Sequence, residues 1–350
     1  MKNIYPEFYK NFKCIANACP DSCCKDWDVV VDDTSQSFYQ NVGGCFGKKL
    51  KELTTIDGDG DRIFISQNGK CPFWNDRKLC DIYINLGEEH LCKTCRDFPR
   101  LTLDYTVFAE HILSFACPQA ARLMLENPND FNCYQADFKF CDTVEYNEKL
   151  MKFLIDARKI TFEILSDQNQ AFSERIKKCL DFNNYVQNQL NSYDYRTQVL
   201  DNFKYVPRKT HNSDHMFILK LHQQLDTMSD KWQDILNEII KNADMLNIPS
   251  NYDSEFLSLA LYYVFRYYLN AIDSFDVLST IKRIVCAVVV IGGAEAFLKR
   301  KKGTLTFEER TEIFQLYSKE VEHSYENGEM LDEEFLLNPN FSAENLIDIL

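Results

Sequence analysis

The sequence predicts a mainly α protein, with a cysteine-rich, irregular metal-binding domain over residues 1–130 and an all-α helical domain over 131–350. Three observations carry this. Ten of the 14 cysteines fall between Cys14 and Cys117. No proline interrupts the chain between Pro128 and Pro207, or between Pro249 and Pro339. Inside those windows the apolar residues recur at helical intervals.

The first part also holds the turn-forming residues: Gly43-Gly44, the Asp57-Gly58-Asp59-Gly60-Asp61 run, Gly69 and Gly87. Two short strands are expected, at Trp27–Asp32 and Arg62–Ser66, from β-branched and aromatic residues in weak alternation. Asp57, Asp59 and Asp61 resemble the start of a calcium loop. Arg62 stands where that loop needs glycine and Asn68 where it needs glutamate, so a solvated turn is the reading. Further on, Phe153, Leu154, Ala157, Ile160, Ile164 and Leu165 form one apolar helix face, with Lys152, Asp156, Lys159 and Glu163 between them. Leu180, Tyr185, Val186 and Leu190 continue the pattern. Phe256, Leu257, Leu261, Val264, Tyr268 and Leu269 predict a largely buried helix. The run around Val288–Ile291 is broken by Cys286, Gly292, Gly293 and Glu295 and is too short to span a bilayer, so a core helix is expected. Thr306 with Glu309 forms a capping-box pattern that starts another helix through Tyr317. His211 and His215, four apart, with His222 beyond, lack the glutamate of a metalloprotease helix and are read as ordinary surface or core residues.

At 350 residues and 45% hydrophobic content the chain can bury an ample core. Its formal net charge of −14 excludes a general nucleic-acid binder and disfavours an anionic membrane surface. No apolar h-region follows Met1, so a cytoplasmic, reducing setting is expected and disulfides are not. No GxGxxG fingerprint and no P-loop is present.

Metal or redox chemistry is what remains for the cysteines. One group is Cys14, Cys19, Cys23 and Cys24; a second comprises Cys71, Cys80, Cys92, Cys95 and Cys117. Thiolates a few residues apart can converge on one ion because the chain turns back within that distance. Proline directly after Cys19, Cys71 and Cys117 stiffens the approach. Zinc and iron–sulfur clusters both accept such a set. Only His90 and His111 lie nearby, and a nearly pure sulfur set favours iron over zinc.

These residues carry a resemblance. Cys19-x-x-Ser22-Cys23-Cys24-x-x-Trp27, Cys71-Pro72-Phe73, Leu79-Cys80, Leu86-Gly87-Glu88, Thr94-Cys95, Phe98-Pro99-Arg100 and Cys117-Pro118-x-Ala120-Ala121-Arg122 run in order over about 110 residues. The chain there resembles the flagellin lysine-N-methylase family, within the wider group of CxxCxxCC-type zinc- or iron-chelating proteins. The resemblance implies a cytoplasmic methyltransferase acting on lysine ε-amines of flagellin or a similar lysine-bearing protein. It also implies S-adenosylmethionine as donor and a 4Fe-4S cluster, with zinc as the alternative metal. Carried over position by position, the family cysteines are Cys14, Cys19, Cys23, Cys24, Cys71, Cys80, Cys95 and Cys117. Cys92 is held back as a ligand and Cys45 has no counterpart. Trp27 and Phe73 are expected to pack over the metal site. Arg96, Arg100 and Arg122 are expected to pair with Asp81, Glu88 or Asp97, or one of them to hold the donor's carboxylate. The rival reading is a non-catalytic chelating or redox-sensing protein whose helical domain binds a protein partner. The sequence does not single out a general base.

Overall fold

The structure, a computed structural model, describes residues 2–128, 131, 147–207, 214–243 and 254–350. Cys133, Cys141 and His211 lie outside the described residues. Fifteen α-helices and five short strands make the described chain mainly α, as the proline-free windows predict.

Two cores organise it. The smaller is closed by Val29, Val31, Tyr39, Leu50, Phe64, Phe73, Ile82 and Cys92. It is built from α1 (Asp33–Asn41), α2 (Gly44–Glu52), the hairpin of β2 (Thr54–Ile56) with β3 (Arg62–Phe64), and α3 (Asp81–Leu86). The expected strand at Trp27–Asp32 is reduced to a single bridge, Val30 with Ile63; its residues instead run beside the hairpin as an extended segment.

The larger core joins the chain's start to its end. β1 (Lys2–Ile4) pairs parallel to β5 (Phe108–Leu113), which pairs antiparallel to β4 (Arg100–Asp104). Between α3 and β4 lies α4 (Lys93–Asp97), and α5 (Pro118–Glu126) follows β5. The inward residues of this sheet, together with Phe8, Phe12, Ala120, Ala121 and Met124, pack into one cluster with the later helices. Those are α6 (Glu148–Ser166), α7 (Phe172–Asn191), α8 (Met216–Gln224), α9 (Asp230–Lys241), α10 (Ser254–Tyr267), α11 (Ala271–Ser274), α12 (Leu278–Lys302), α13 (Phe307–Glu322), α14 (Tyr325–Leu337) and α15 (Ala343–Asp348).

The predicted helices at Phe153–Leu165, Leu180–Leu190 and Phe256–Leu269 fall within α6, α7 and α10 with the short turns after it. α12 is the central helix. Every residue from Ile284 to Ala294 is buried. Among the described residues no helix is long and apolar enough to cross a membrane. Thr306 and Glu309 cap α13 reciprocally, Glu309 N–H donating to Thr306 Oγ1 at 3.2 Å and Thr306 N–H to the Glu309 carboxylate at 2.9 Å.

One buried ion pair ties sheet to helices. Arg158 on α6 forks onto Glu110 of β5 at 2.8 and 2.6 Å, with side chains 2% and 1% exposed. Glu110→Ala leaves that guanidinium without its carboxylate and is expected to cost about 3–5 kcal/mol by urea unfolding. The double variant Glu110→Leu/Arg158→Met removes both charges and is expected to recover most of the loss.

Candidate functional site

Backbone pairing gathers the cysteines. Cys71 N–H donates to Cys24 C=O at 2.8 Å, and Asp26 N–H to Gly69 C=O at 2.8 Å, laying the Cys23–Cys24 turn against the Gly69–Cys71 segment. Asn75 Oδ1 accepts from Arg77 and Leu79 N–H, closing the tight turn that returns the chain to Cys80. Asp32 acts twice. It caps α1 through Ser35 N–H at 3.0 Å and accepts Lys93 N–H at 2.7 Å, so one carboxylate fixes both α1 and the short helix bearing Cys95. Burial opposes its charge, but those two N–H donors with the Ser35 hydroxyl hold the carboxyl down at about 2. Cys117 stands at the N-cap of α5 with Pro118 in the first turn, where its missing N–H costs nothing.

Cys23 lies within electrostatic reach of most of the other thiols. Its charge would be felt by Cys19, Cys71, Cys80, Cys95 and Cys117, and its own thiol is hydrogen-bonded to Cys24. Burial pushes Cys19 up to about 11 and Cys71 and Cys117 up to about 12. Cys95 donates to Cys92, which is thereby lowered while Cys95 is raised. So the structure brings Cys92 into the set beside Cys95, although the sequence reading held it back; its full burial in the smaller core was not visible from spacing. Cys45 is exposed on α2, and Cys179 and Cys286 are buried among the helices.

All twelve described cysteines are free thiols. Among the described residues, no three Cys, His, Asp or Glu side chains stand close enough to grip an ion as they are placed. The donor chemistry around Cys23, sulfur from several segments, suits a soft metal or an iron–sulfur cluster. Both nearby histidines are engaged elsewhere: His111 with Thr102 and Asn3, His90 stacked on Phe38.

The arginine expectations are only partly met. Arg96 reaches Asp97 at 3.7 Å, whereas Arg122 pairs with Glu126 and Arg100 lies over Phe12. Asp81 takes Lys49 and Asn75 instead. Phe73 sits in the smaller core. Trp27 packs, partly buried, against that core: its Nε1 donates to Cys23 C=O at 2.9 Å, and its ring meets Phe98 and His323, 5.3 and 5.4 Å away.

His323 brings in residues that the sequence reading missed. The last turns of α13 reach into the cysteine layer. Gln315 donates to Asp21 and to Ala116 C=O, and Lys319, 2% exposed, lies between Asp21 at 3.1 Å and Asp26 at 2.9 Å with its ammonium 5.4 Å from the Trp27 ring centre. Burial raises the Asp21 carboxyl, but Lys25 and Lys319 outweigh it and the group titrates below its ordinary value. His323 Nε2 bonds Ser114 Oγ at 2.8 Å, three residues before Cys117. Burial, with Arg266 and Lys319 nearby, pushes His323 down to about 4, so it is neutral at physiological pH. Gln315, Lys319, Glu322 and His323 follow one helix stripe, at spacings of four, three and one. That spacing was available in the sequence, but nothing there said what the stripe faces.

Taken together, fold and site define a helical protein whose C-terminal helices hold a layer of free thiols. A family model described as the FliB lysine N-methylase C-terminal domain matches residues 158–349, more than half of the chain. The chain belongs to the FliB lysine N-methylase family. It is 29% identical over 136 residues to the flagellar biosynthetic protein FliU of Salmonella muenchen, a match covering 35% of this chain and 77% of that protein. It is 30% identical over 136 residues to the lysine-N-methylases of Salmonella choleraesuis and Salmonella typhimurium. Those two matches span 35% of this chain and only 32%, about a third, of either relative's length. No solved structure matches the chain.

Two predictions follow from the site. Lys319→Met leaves Asp21 and Asp26 facing an apolar side chain, and is expected to cost about 3–5 kcal/mol and to open residues 14–27 to limited proteolysis. The second concerns acid. His222, buried between Ile218 C=O and Tyr317 OH, is pushed by burial down to about 4, as His323 is. Both values lie below that of an unfolded imidazole, so this stability is fully present above about pH 6.5 and is lost as pH falls toward 4. By pH 5 the His222 contribution falls by about 2 kcal/mol. A His222→Gln variant is expected to lose less stability than the parent between pH 7 and 5 in parallel urea titrations.

Proposed function

We propose that the chain transfers methyl groups from S-adenosylmethionine to lysine ε-amines of flagellin or a similar flagellar protein, and that the thiols around Cys23 hold an iron–sulfur cluster. The family match over 158–349 carries the reading of lysine methylation. The names of the relatives, lysine-N-methylase and flagellar biosynthetic protein, support a flagellar lysine-bearing substrate.

The reaction needs little from the protein beyond geometry and deprotonation. A lysine ammonium, with a free pKa of about 10.4, must release a proton to solvent before its nitrogen can attack. The nitrogen then forms a bond to the methyl carbon as the carbon–sulfur bond breaks, leaving S-adenosylhomocysteine and a methylated ammonium. An aromatic, partly desolvated seam favours the neutral amine. Trp27, Phe98 and neutral His323 line such a seam between the cysteine layer and the end of α13. The acidic chain, at −14, suits a lysine-bearing partner.

Cys14, Cys19, Cys23, Cys24, Cys71, Cys80, Cys95 and Cys117, with Cys92 beside them, are the ligands from which a cluster would draw. Bound there, it would supply a soft metal centre that loses its folding contribution when oxidised or stripped. Cys23→Ser is expected to lower iron and sulfide content more than any other single serine replacement, because Cys23 neighbours most of the set. Cys45→Ser is expected to leave both unchanged. Iron, zinc and sulfide analysis after anaerobic purification reads this directly. The reading as a whole is tested by labelled methyl transfer from S-adenosylmethionine to purified flagellin. Transfer to lysine supports it; stoichiometric zinc with no sulfide and no transfer supports a chelating or redox-sensing protein instead.

A further inference from the structure

Among the described residues, one carboxylate oxygen at the end of α13 accepts no hydrogen bond. Glu322 Oε2 accepts from Tyr262 OH at 3.0 Å, from Tyr267 OH at 2.8 Å and from Arg266 at 2.6 Å, while the side chain is 2% exposed. Glu322 Oε1 is buried and, among the described residues, receives nothing. Buried polar atoms in folded proteins are nearly always paired, and leaving one unpaired costs about 1–3 kcal/mol, more for a charged group. Glu322 Oε1 can therefore accept a donor that a ligand brings.

Its surroundings say which donor fits. Arg266 already balances the Glu322 charge and lies over the rings of Tyr262 and Tyr267, 5.7 and 4.8 Å from their centres. Burial raises the phenols of Tyr262 and Tyr267, so both stay protonated as donors to Oε2. Tyr263 adds a third ring, 5.6 Å from Tyr262 and 5.5 Å from Tyr267. Arg266, Tyr267 and His323 are only partly buried, so the group meets the surface at the seam beside Trp27. A full ammonium is disfavoured next to the Arg266 guanidinium and in burial. A neutral amine is not: it can donate one N–H to Oε1 and keep its lone pair free.

We propose that Glu322 Oε1 is the seat of the substrate lysine, held as the neutral amine, with Arg266 excluding the protonated form and Tyr262 and Tyr267 fixing the carboxylate. This rests on the lysine-methylation reading and adds the residues that bind the amine. On binding, the lysine releases its extra proton to solvent; the nitrogen lone pair is left facing away from Glu322, toward the methyl donor.

The test uses the full-length protein and two peptides that differ at one position, lysine against norleucine, titrated by calorimetry at pH 7.5, 8.5 and 9.5 in buffers of different ionisation enthalpy. The ratio of lysine to norleucine affinity, the preference for lysine, is expected to rise about tenfold per pH unit over that range, and lysine binding is expected to release about one proton at pH 7.5, as a free pKa near 10.4 requires. Glu322→Gln is expected to abolish the preference. Because that variant also leaves buried Arg266 without its carboxylate, Tyr267→Phe is the companion: it keeps the ring, and is expected to fold normally and lower the preference about tenfold, the size of one hydrogen bond to a charged group. No preference for lysine in the parent, binding without proton release, or an unchanged preference in folded Tyr267→Phe and Glu322→Gln would each overturn the proposal, the oxygen then holding only water. Methyl transfer is scored separately. Transfer that both variants leave untouched sinks the seat but keeps the methylase reading, whereas lysine-specific binding with no transfer by the parent keeps the seat and sinks that reading.

Discussion

Lys319 is the constraint on which the arrangement of this protein depends. Its ammonium is almost fully buried, and two carboxylates of the cysteine loop, Asp21 and Asp26, close on it from one side while the Trp27 ring lies across it. A charge taken out of water this completely is tolerable only when its partners are held in place. The partners sit either side of Cys23 and Cys24. The loop from Cys14 to Asp26 contributes no apolar side chain to the smaller core; it is held by backbone pairing with the Gly69–Cys71 segment on one side and, on the other, by a helix about 300 residues further along the chain.

From that clamp the remaining contacts follow along α13. Gln315, one turn earlier, reaches Asp21 and the carbonyl before Cys117; His323, one turn later, reaches Ser114 and packs on Trp27. The same face of one helix therefore touches the chain ahead of Cys117 and the chain around Cys23. The helix itself is held by α8 and α10 through buried aromatic and polar contacts, including Tyr317 with His222 and Tyr262 with Glu322. The matched family domain thus does more than support: its residues reach the cysteine loop and the chain before Cys117, and at Glu322 and Arg266 they build a charged, ring-lined group at the end of the same helix.

Much of the fold was legible. Proline-free windows and apolar spacing marked α6, α7 and α10, and Thr306 with Glu309 marked the start of α13, because capping and amphipathicity are local properties. The run at Val288–Ile291 was correctly read as a core helix from its length and its interrupting polar and glycine residues. The strand expected at Trp27–Asp32 was not formed, since pairing depends on a partner that local sequence does not name. The site was half legible. Cysteine density and the ordered motifs pointed to Cys23 and its neighbours. Cys92 was held back because the resembled family is expected often to have a non-cysteine there, and its burial beside Cys95 could not be read from spacing. Lys319, Glu322 and His323 were invisible as site residues, for a helix stripe acquires meaning only when the segment it faces is known.

If α13 truly carries the thiol layer, ordering one must order the other. The direct measurement is hydrogen exchange of the full-length protein before and after anaerobic reconstitution with iron and sulfide. The account predicts that amides in residues 14–27 and in the last two turns of α13 gain protection together. Protection confined to the cysteine segments, with α13 exchanging as before, would contradict it.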